Sequence, residues 1–252
     1  MPLVDKRGVR FHTQVLGEGA PPLVMLHGLL IGNLASFYFT AAPALAERRK
    51  VLLYDLRGHG KSQRVPSGYD VSTMAGDLEA LSEDLGEGPI DLCGHSYGGL
   101  IALRFALDHP GRVRRLALVE TPLPPSKFGD FESFFAQGPA EMVAGLPESL
   151  QTVLGHGGRR AARLLDALRF LTQESSLLAD LRAEPDIPDE VLATLGCPVL
   201  CVYGTTSLCA PMGERIARAI PGARLVMLPG GHYLHLDATE PLTRALQGFF
   251  DG

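Results

Sequence analysis

The serine in the stretch GHSYGG, residues 94–99, is the side chain of this sequence best placed to do chemistry. The stretch matches G-x-S-x-G, follows the apolar run IDLC and precedes the helix-like segment LIALRFALDHP. In a strand–turn–helix of this kind the sharp turn lifts the serine hydroxyl off the sheet, and the flanking glycines avoid collisions across the turn. We therefore expect Ser96 to be a nucleophile. The backbone N–H of Tyr97, at the start of the helix, is expected to point at negative charge developing on a substrate oxygen.

A serine nucleophile needs a base, and the sequence offers eight histidines. His232 is the favoured candidate, because it follows Gly230 and Gly231 directly after an apolar run, on a loop long enough to reach the sheet edge. Its role would be to take the proton of Ser96 and later to deliver one to the leaving group. His235, three residues further on, is the competing candidate.

Short apolar runs that alternate with amphipathic segments indicate how these residues are positioned. Continuous apolar runs ending in Gly, His, Asp or Glu are expected of parallel strands buried on both faces. The runs occupy residues 22–28, 50–56, 90–96, 114–120, 198–204 and 223–230, residues 9–17 alternate like a hairpin strand, and helices are expected at 34–48, 73–85, 97–108, 212–220 and 241–250. This order predicts an α/β fold with a mostly parallel, doubly wound sheet.

The alternation of strands and helices breaks between Glu120 and about residue 196, where no strand is expected. We interpret residues 1–120 and 197–252 as the core and residues 121–196 as a helical lid inserted over the edge of the sheet where such folds bind ligands. Aromatic side chains here and after the first loop are candidates for the wall of an apolar acyl pocket, and equally for the core of the lid. These candidates are Phe37, Phe128, Phe131, Phe134 and Phe135.

Three further stretches, with GHSYGG, resemble the α/β-hydrolase superfamily over essentially the whole chain. LHGLL (26–30) is similar to the family's strand-end His-Gly loop, YDLRGHGKS (54–62) to its D-x-R-G-x-G-x-S turn, and LPGGHYLHLDATEPL (228–242) to the segment carrying the catalytic histidine. The resemblance implies an α/β-hydrolase fold with a helical lid and His232 in the catalytic position. It also implies an oxyanion hole in which the N–H of Leu29 joins that of Tyr97.

The acid of the implied triad is not where most of the family carries it. The stretch VYGTTSLCAP, residues 202–211, has no carboxylate, and alignment on the usual turn puts Ser207 at the acid position. A serine can orient a histidine but cannot offset the charge of an imidazolium. Glu120, at the end of the preceding strand, is the expected substitute. The resemblance supports it, because synthase-associated thioesterases and haloalkane dehalogenases carry an acid there. Asp237, on the histidine's own loop, is the rival.

A Ser96–His232–Glu120 triad with two N–H donors is suited to acyl transfer through an acyl-enzyme. We expect a serine hydrolase acting on an ester or thioester, and the acid's position resembles the thioesterase-like branch. A dehalogenase is disfavoured, because the nucleophile is Ser and the chain has no Trp. Two alternatives stay open: a C–C bond hydrolase, lyase or cyclase on the same scaffold, and a binding module without catalysis.

Composition and charge restrict the partners, the cofactors and the cellular location that we expect. The formal net charge of −5 gives no support for nucleic-acid binding. The four cysteines form no zinc-ligand pattern, and neither a metal nor a cofactor is expected. There is no apolar leader and no apolar run near the roughly 18 residues needed to span a membrane, so we expect a cytoplasmic protein. The expected partner is a small acyl substrate, free or carrier-bound.

Overall fold

The computed structural model describes residues 3–123, 137–146, 151 and 159–252. Its centre is one eight-stranded sheet in the order β1-β2-β4-β3-β5-β6-β7-β8. The strands are β1 (Leu3–Lys6), β2 (Val9–Leu16), β3 (Leu23–Leu26), β4 (Val51–Tyr54), β5 (Ile90–His95), β6 (Val113–Val119), β7 (Val199–Gly204) and β8 (Arg224–Leu228). Strand β2 pairs antiparallel with β1 and β4, and the strands from β3 to β8 are parallel.

The α-helices of the described residues lie between the strands from β3 onward and after β8, and they cover both faces of the sheet. They are α1 (Ala35–Tyr38), α2 (Ala41–Leu45), α3 (Val71–Ser82), α4 (Tyr97–Asp108), α5 (Pro139–Ala144), α6 (Arg159–Arg169), α7 (Leu177–Ala183), α8 (Asp189–Leu192), α9 (Ala210–Ala219), α10 (Leu234–Asp237) and α11 (Thr239–Phe250). Helices α5 to α8 lie between β6 and β7 in the chain, and the division into a core and a lid stays a prediction. None of the helices just named is long and apolar enough to cross a membrane.

Neighbouring residues on one strand bury their side chains on opposite faces of the sheet, as its pleat requires. Leu23 and Met25 belong to the apolar cluster formed with α1, α2 and α11. Val24 and Leu26 belong to the cluster formed with α3, α4 and parts of the insertion. All four side chains are 1% exposed or less, which explains why the parallel strands have continuous apolar sequences.

The register of β5 to β8 brings four chain segments to one edge of the sheet. His95 pairs with Val119, Val119 pairs with Val202, and Gly204 pairs with Leu228. Each of these residues lies at or near the carboxyl end of its strand. The residues that follow the four strands therefore meet at the edge where parallel sheets place their sites.

Two local expectations are corrected. The predicted helix over 34–48 is two short helices, α1 and α2. Pro43 explains the break, because it has no N–H to donate to the carbonyl of Phe39 in a continuous helix. Strand β1 was not predicted, because none of its four residues is buried and it pairs only with β2 at the sheet edge.

Candidate active site

Ser96 lies in a strained turn between β5 and α4. Its backbone has φ 54° and ψ −128°, a conformation that non-glycine residues rarely adopt. A Cβ at Gly94 would lie 2.3 Å from the carbonyl oxygen of Gly98, and one at Gly98 would lie 2.4 Å from that of His27. The two glycines are therefore required by the close approach of α4 to the strands, and this packing forces the serine hydroxyl out of the sheet.

His232 reaches Ser96 from the loop after β8. Its Nε2 lies 3.0 Å from the Ser96 Oγ. His95, buried beneath the turn, donates from Nε2 to the backbone carbonyl of His232 at 2.8 Å. Burial lowers the pKa of His95 well below its ordinary value, so this ring stays neutral and acts as a hydrogen-bonding support. His235 is instead buried nearby, and the pKa of its ring is lowered to about 4, mainly by burial.

Glu120 follows β6 and places its carboxylate on the far side of the His232 ring. Its Oε2 lies 3.3 Å from His232 Nδ1, and the residue is fully buried. The backbone of Glu120 has φ 52°, a second strained residue at this edge. The N–H of Gly204 donates to Oε1 and the hydroxyl of Ser207 donates to Oε2. Neither neighbour adds charge, so the carboxylate is desolvated but satisfied.

The contact of Ser207 with this carboxylate was not predicted. Sequence alignment indicated that Ser207 replaces an acid, but not that its hydroxyl bonds to the acid on the adjacent strand. The hydroxyl oxygen of Ser207 also accepts the N–H of Cys209 at 3.0 Å. The pairing of β6 with β7 creates this contact. The sequence could have predicted it only if the strand order had been known.

The loop after β3 is held in place by two buried histidines. His27 accepts the N–H of Leu56 at Nε2 over 2.9 Å and donates from Nδ1 to the Gly28 carbonyl over 2.7 Å. His59 accepts the N–H of Leu30 at Nε2 over 2.8 Å. Burial lowers the pKa of both rings, that of His59 to about 3, so both remain neutral acceptors.

The two predicted oxyanion donors border the same serine. Tyr97 is the first residue of α4, and its N–H has no carbonyl one helical turn earlier to bond to. Leu29 lies in the loop that His27 and His59 hold. Both N–H groups thus belong to backbone fixed by the turn and by the buried rings, and their role as oxyanion donors stays a prediction.

A cavity of about 50 Å³ opens beside the serine. The cavity is lined by residues of the loop after β3, of the turn at Ser96 and of the loop after β8. These residues are Gly28, Leu29, Ile31, Gly32, Ser36, His95, Ser96, His232, Tyr233 and His235. Phe37 was predicted to line this pocket, and that prediction is wrong. Phe37 is 0% exposed and packs in the core, with its ring 6.3 Å from that of His235. The remaining candidates, Phe128, Phe131, Phe134 and Phe135, lie outside the described residues.

Cys209 adds an unexpected sulfur to the site. Its Sγ lies 3.7 Å from His232 Nδ1, on the same side of the ring as Glu120. Burial raises the pKa of the Cys209 thiol to about 12, so the sulfur carries its proton at neutral pH. The sequence analysis predicts no role for this cysteine at the site.

Comparison with known proteins identifies the family. Residues 21–155 match the family model described as the α/β hydrolase fold. A candidate carbamate hydrolase, RutD, of Klebsiella pneumoniae subsp. pneumoniae is 31% identical over 244 residues, 91% of each protein. Its counterpart in Stutzerimonas stutzeri is 28% identical over 251 residues, 90% of each. The enol-lactonase of Burkholderia xenovorans LB400 has a TM-score of 0.82 and 25% identity, with all of both chains covered. The chain therefore belongs to the α/β hydrolase fold family and is a hydrolase by family.

Proposed function

We propose that this protein is a serine hydrolase that cleaves an acyl ester or thioester through an acyl-enzyme, with Ser96, His232 and Glu120 as its triad. The observation that carries the proposal is the series of contacts from Ser96 through the His232 ring to Glu120. Ser96 Oγ lies 3.0 Å from His232 Nε2, and His232 Nδ1 lies 3.3 Å from a buried carboxylate. A base within hydrogen-bonding reach of a nucleophile, oriented by a third group, is the arrangement that activates a serine.

The reaction follows from the positions of these atoms. Ser96 Oγ attacks the acyl carbon while Nε2 of His232 takes its proton, and Glu120 stabilises the resulting imidazolium. The N–H groups of Leu29 and Tyr97 bind the oxyanion. The imidazolium then protonates the leaving group, and a water activated by the same ring hydrolyses the acyl-enzyme.

Short acyl esters are the first substrates to test. The cavity next to Ser96, about 50 Å³ in volume, has room for a short acyl group between the loops after β3 and β8. We therefore expect acetyl and butyryl esters to be cleaved faster than lauroyl esters. The acid after β6 keeps thioesters among the candidates, since the sequence resembles thioesterases in that respect. A carrier-bound substrate stays a prediction.

Carbamates are a second candidate substrate class. They are supported by the relative from K. pneumoniae, whose name gives carbamate hydrolysis, at 31% identity over 91% of this chain. A carbamate presents the same kind of acyl carbon to a serine, so the proposed residues would keep their roles. The enol-lactonase from B. xenovorans likewise brings lactones into the panel.

A substrate panel tests the proposal. Purified protein and its Ser96→Ala variant are assayed with p-nitrophenyl esters of increasing length, acyl-CoA thioesters, aryl carbamates, lactones and diketones. The proposal expects turnover of at least one ester or thioester by the wild type and none by the variant. Turnover of diketones alone would instead establish a C–C hydrolase, and no turnover with no covalent labelling of Ser96 would establish a binding module.

A further inference from the structure

We propose that Glu120, Cys209 and His232 form a binding site for a thiophilic divalent cation such as Zn²⁺ or Cd²⁺, and that occupancy of this site switches the hydrolase off. The carboxylate oxygen, the thiol sulfur and Nδ1 of the ring lie within 4.8 Å of one another. The site is inhibitory rather than catalytic, because one of its ligands is the ring needed as a base. It extends the proposed function, and its metal-binding part can be tested without it.

Two of the three distances between the donor atoms are close to those of tetrahedral zinc, and the third is at most 4.8 Å. Zinc lies about 2.3 Å from sulfur and about 2.0 Å from nitrogen or oxygen, so a tetrahedron places sulfur and nitrogen about 3.5 Å apart and nitrogen and oxygen about 3.3 Å apart. Here Cys209 Sγ lies 3.7 Å from His232 Nδ1. The distance from Nδ1 to Glu120 Oε2 is 3.3 Å. An ion could therefore be held with shifts of a few tenths of an ångström along these two edges.

The donor types and their charges select the class of cation. One thiolate, one imidazole and one carboxylate suit zinc and cadmium, whereas Mg²⁺ and Ca²⁺ prefer sites built only from oxygen. Binding releases the thiol proton of Cys209 to solvent. The two positive charges of the ion are then balanced by Glu120 and the new thiolate. This balance lowers the cost of holding an ion beside these two buried residues, while the third ligand, His232, is half-buried.

The ion would inhibit by fixing the wrong tautomer of His232. In the active arrangement Nδ1 carries the proton and Nε2 offers its lone pair to the Ser96 hydroxyl. A metal bound to the Nδ1 lone pair leaves the ring proton on Nε2. The ring then cannot accept the proton of Ser96, and the carboxylate of Glu120 is bound to the metal instead of to the imidazole.

Cys209 is the residue that separates this site from the hydrolase itself. Its side chain has no role in the proposed reaction, and Ala at this position keeps the backbone N–H that donates to Ser207. Each variant is therefore compared with its own rate in the absence of metal, and on that scale Cys209→Ala should lose its sensitivity to metal. Cys197 provides a matched control, because it is a partly buried thiol elsewhere in the chain.

The experiment measures inhibition and binding separately. Wild type, Cys209→Ala and Cys197→Ala are preincubated with buffered Zn²⁺ or Cd²⁺ and assayed on p-nitrophenyl acetate, and EDTA is then added. We expect wild type and Cys197→Ala to be inhibited and restored by EDTA. In Cys209→Ala the half-inhibitory concentration should rise by about 100-fold. Equal sensitivity of all three proteins would overturn the proposal.

Binding without catalysis distinguishes failure of this inference from failure of the proposed function. Ser96→Ala keeps all three ligands, so it should bind one Cd²⁺ and develop the ultraviolet absorption of a cadmium–thiolate bond. Ser96→Ala combined with Cys209→Ala should show no such band. A band of equal strength in the double variant would place the metal at another thiol and refute the site, whatever the enzyme hydrolyses.

Discussion

Replacing Glu120 by Gln removes one charge and almost no volume, so it isolates the electrostatic role of the acid. In the proposed transition state the His232 ring is positive, with its Nδ1 3.3 Å from the Glu120 carboxylate. Two unit charges at that distance interact by about 5 kcal/mol at an effective dielectric constant of 20. Since each 1.4 kcal/mol is a factor of ten, kcat should fall by about 10³- to 10⁴-fold.

The amide also disturbs the histidine in a second way. The NH₂ group of Gln can donate to Nδ1, which would favour the tautomer that carries its proton on Nε2 and cannot accept from Ser96. Because the lost interaction exists mainly in the transition state, kcat and kcat/KM should fall together and KM should change little. The assay is steady-state hydrolysis of p-nitrophenyl acetate at pH 8, with circular dichroism and Tm measured for each variant to confirm folding.

A double variant shows whether the charge itself is what matters. Ser207→Asp in the Glu120→Gln background returns a carboxylate to the position where the sequence resemblance expects the family's usual acid. We expect this variant to recover at least part of the lost kcat. The reasoning is refuted if Glu120→Gln keeps kcat within tenfold of wild type. A large loss in Asp237→Asn alongside that result would assign the acid to the histidine's own loop.

Three other predictions follow from contacts around the site. Ser207→Ala removes a hydrogen bond to the Glu120 carboxylate but leaves its charge, so kcat should fall only about tenfold, and a loss as large as that of Glu120→Gln would be inconsistent with this assignment. His235 is buried, and its pKa is lowered from 6.5 to about 4. Its contribution to the free energy of unfolding, measured in urea, should therefore be fully present above pH 6.5 and be lost as the pH falls towards 4, by up to about 1.4 kcal/mol per pH unit. His235→Gln should flatten this dependence on pH, and an unchanged slope would assign it to other groups. Gly98→Ala places a Cβ 2.4 Å from a backbone oxygen and should lower Tm sharply, whereas Gly248→Ala, with nothing within 4 Å, should leave Tm unchanged or raise it; equal Tm values would contradict the packing at the turn.

The parallel sheet could be predicted because its sequence signal is local. Each buried strand, such as β5 before Ser96, is a short apolar run, and the glycines around the serine report the tight turn that follows it. The edge strand β1 has no such signal, because two of its four residues are charged and none is buried. The break between α1 and α2 does have a sequence signal, because Pro43 disfavours one continuous helix over residues 34–48.

The site was predictable in its residues but not in its contacts. The positions of Ser96, His232 and Glu120 relative to predicted strands suggested that they share an edge, and the structure brings them together. The contacts of Ser207 and Cys209 with this group depend on how β7 lies beside β6, a long-range pairing with no local signal. The position of Phe37 was predicted wrongly, because the direction of its side chain is set by packing in the core, which also has no local signal.

The central claim is that Ser96 is a nucleophile activated by His232 and Glu120, and covalent labelling tests it most directly. Wild type and Ser96→Ala are incubated with a fluorophosphonate probe and examined by intact-mass spectrometry, followed by peptide mapping. The account predicts one probe adduct per chain in the wild type, located on Ser96, and no adduct in the variant. An unlabelled wild type, or an adduct that persists in Ser96→Ala, would contradict it.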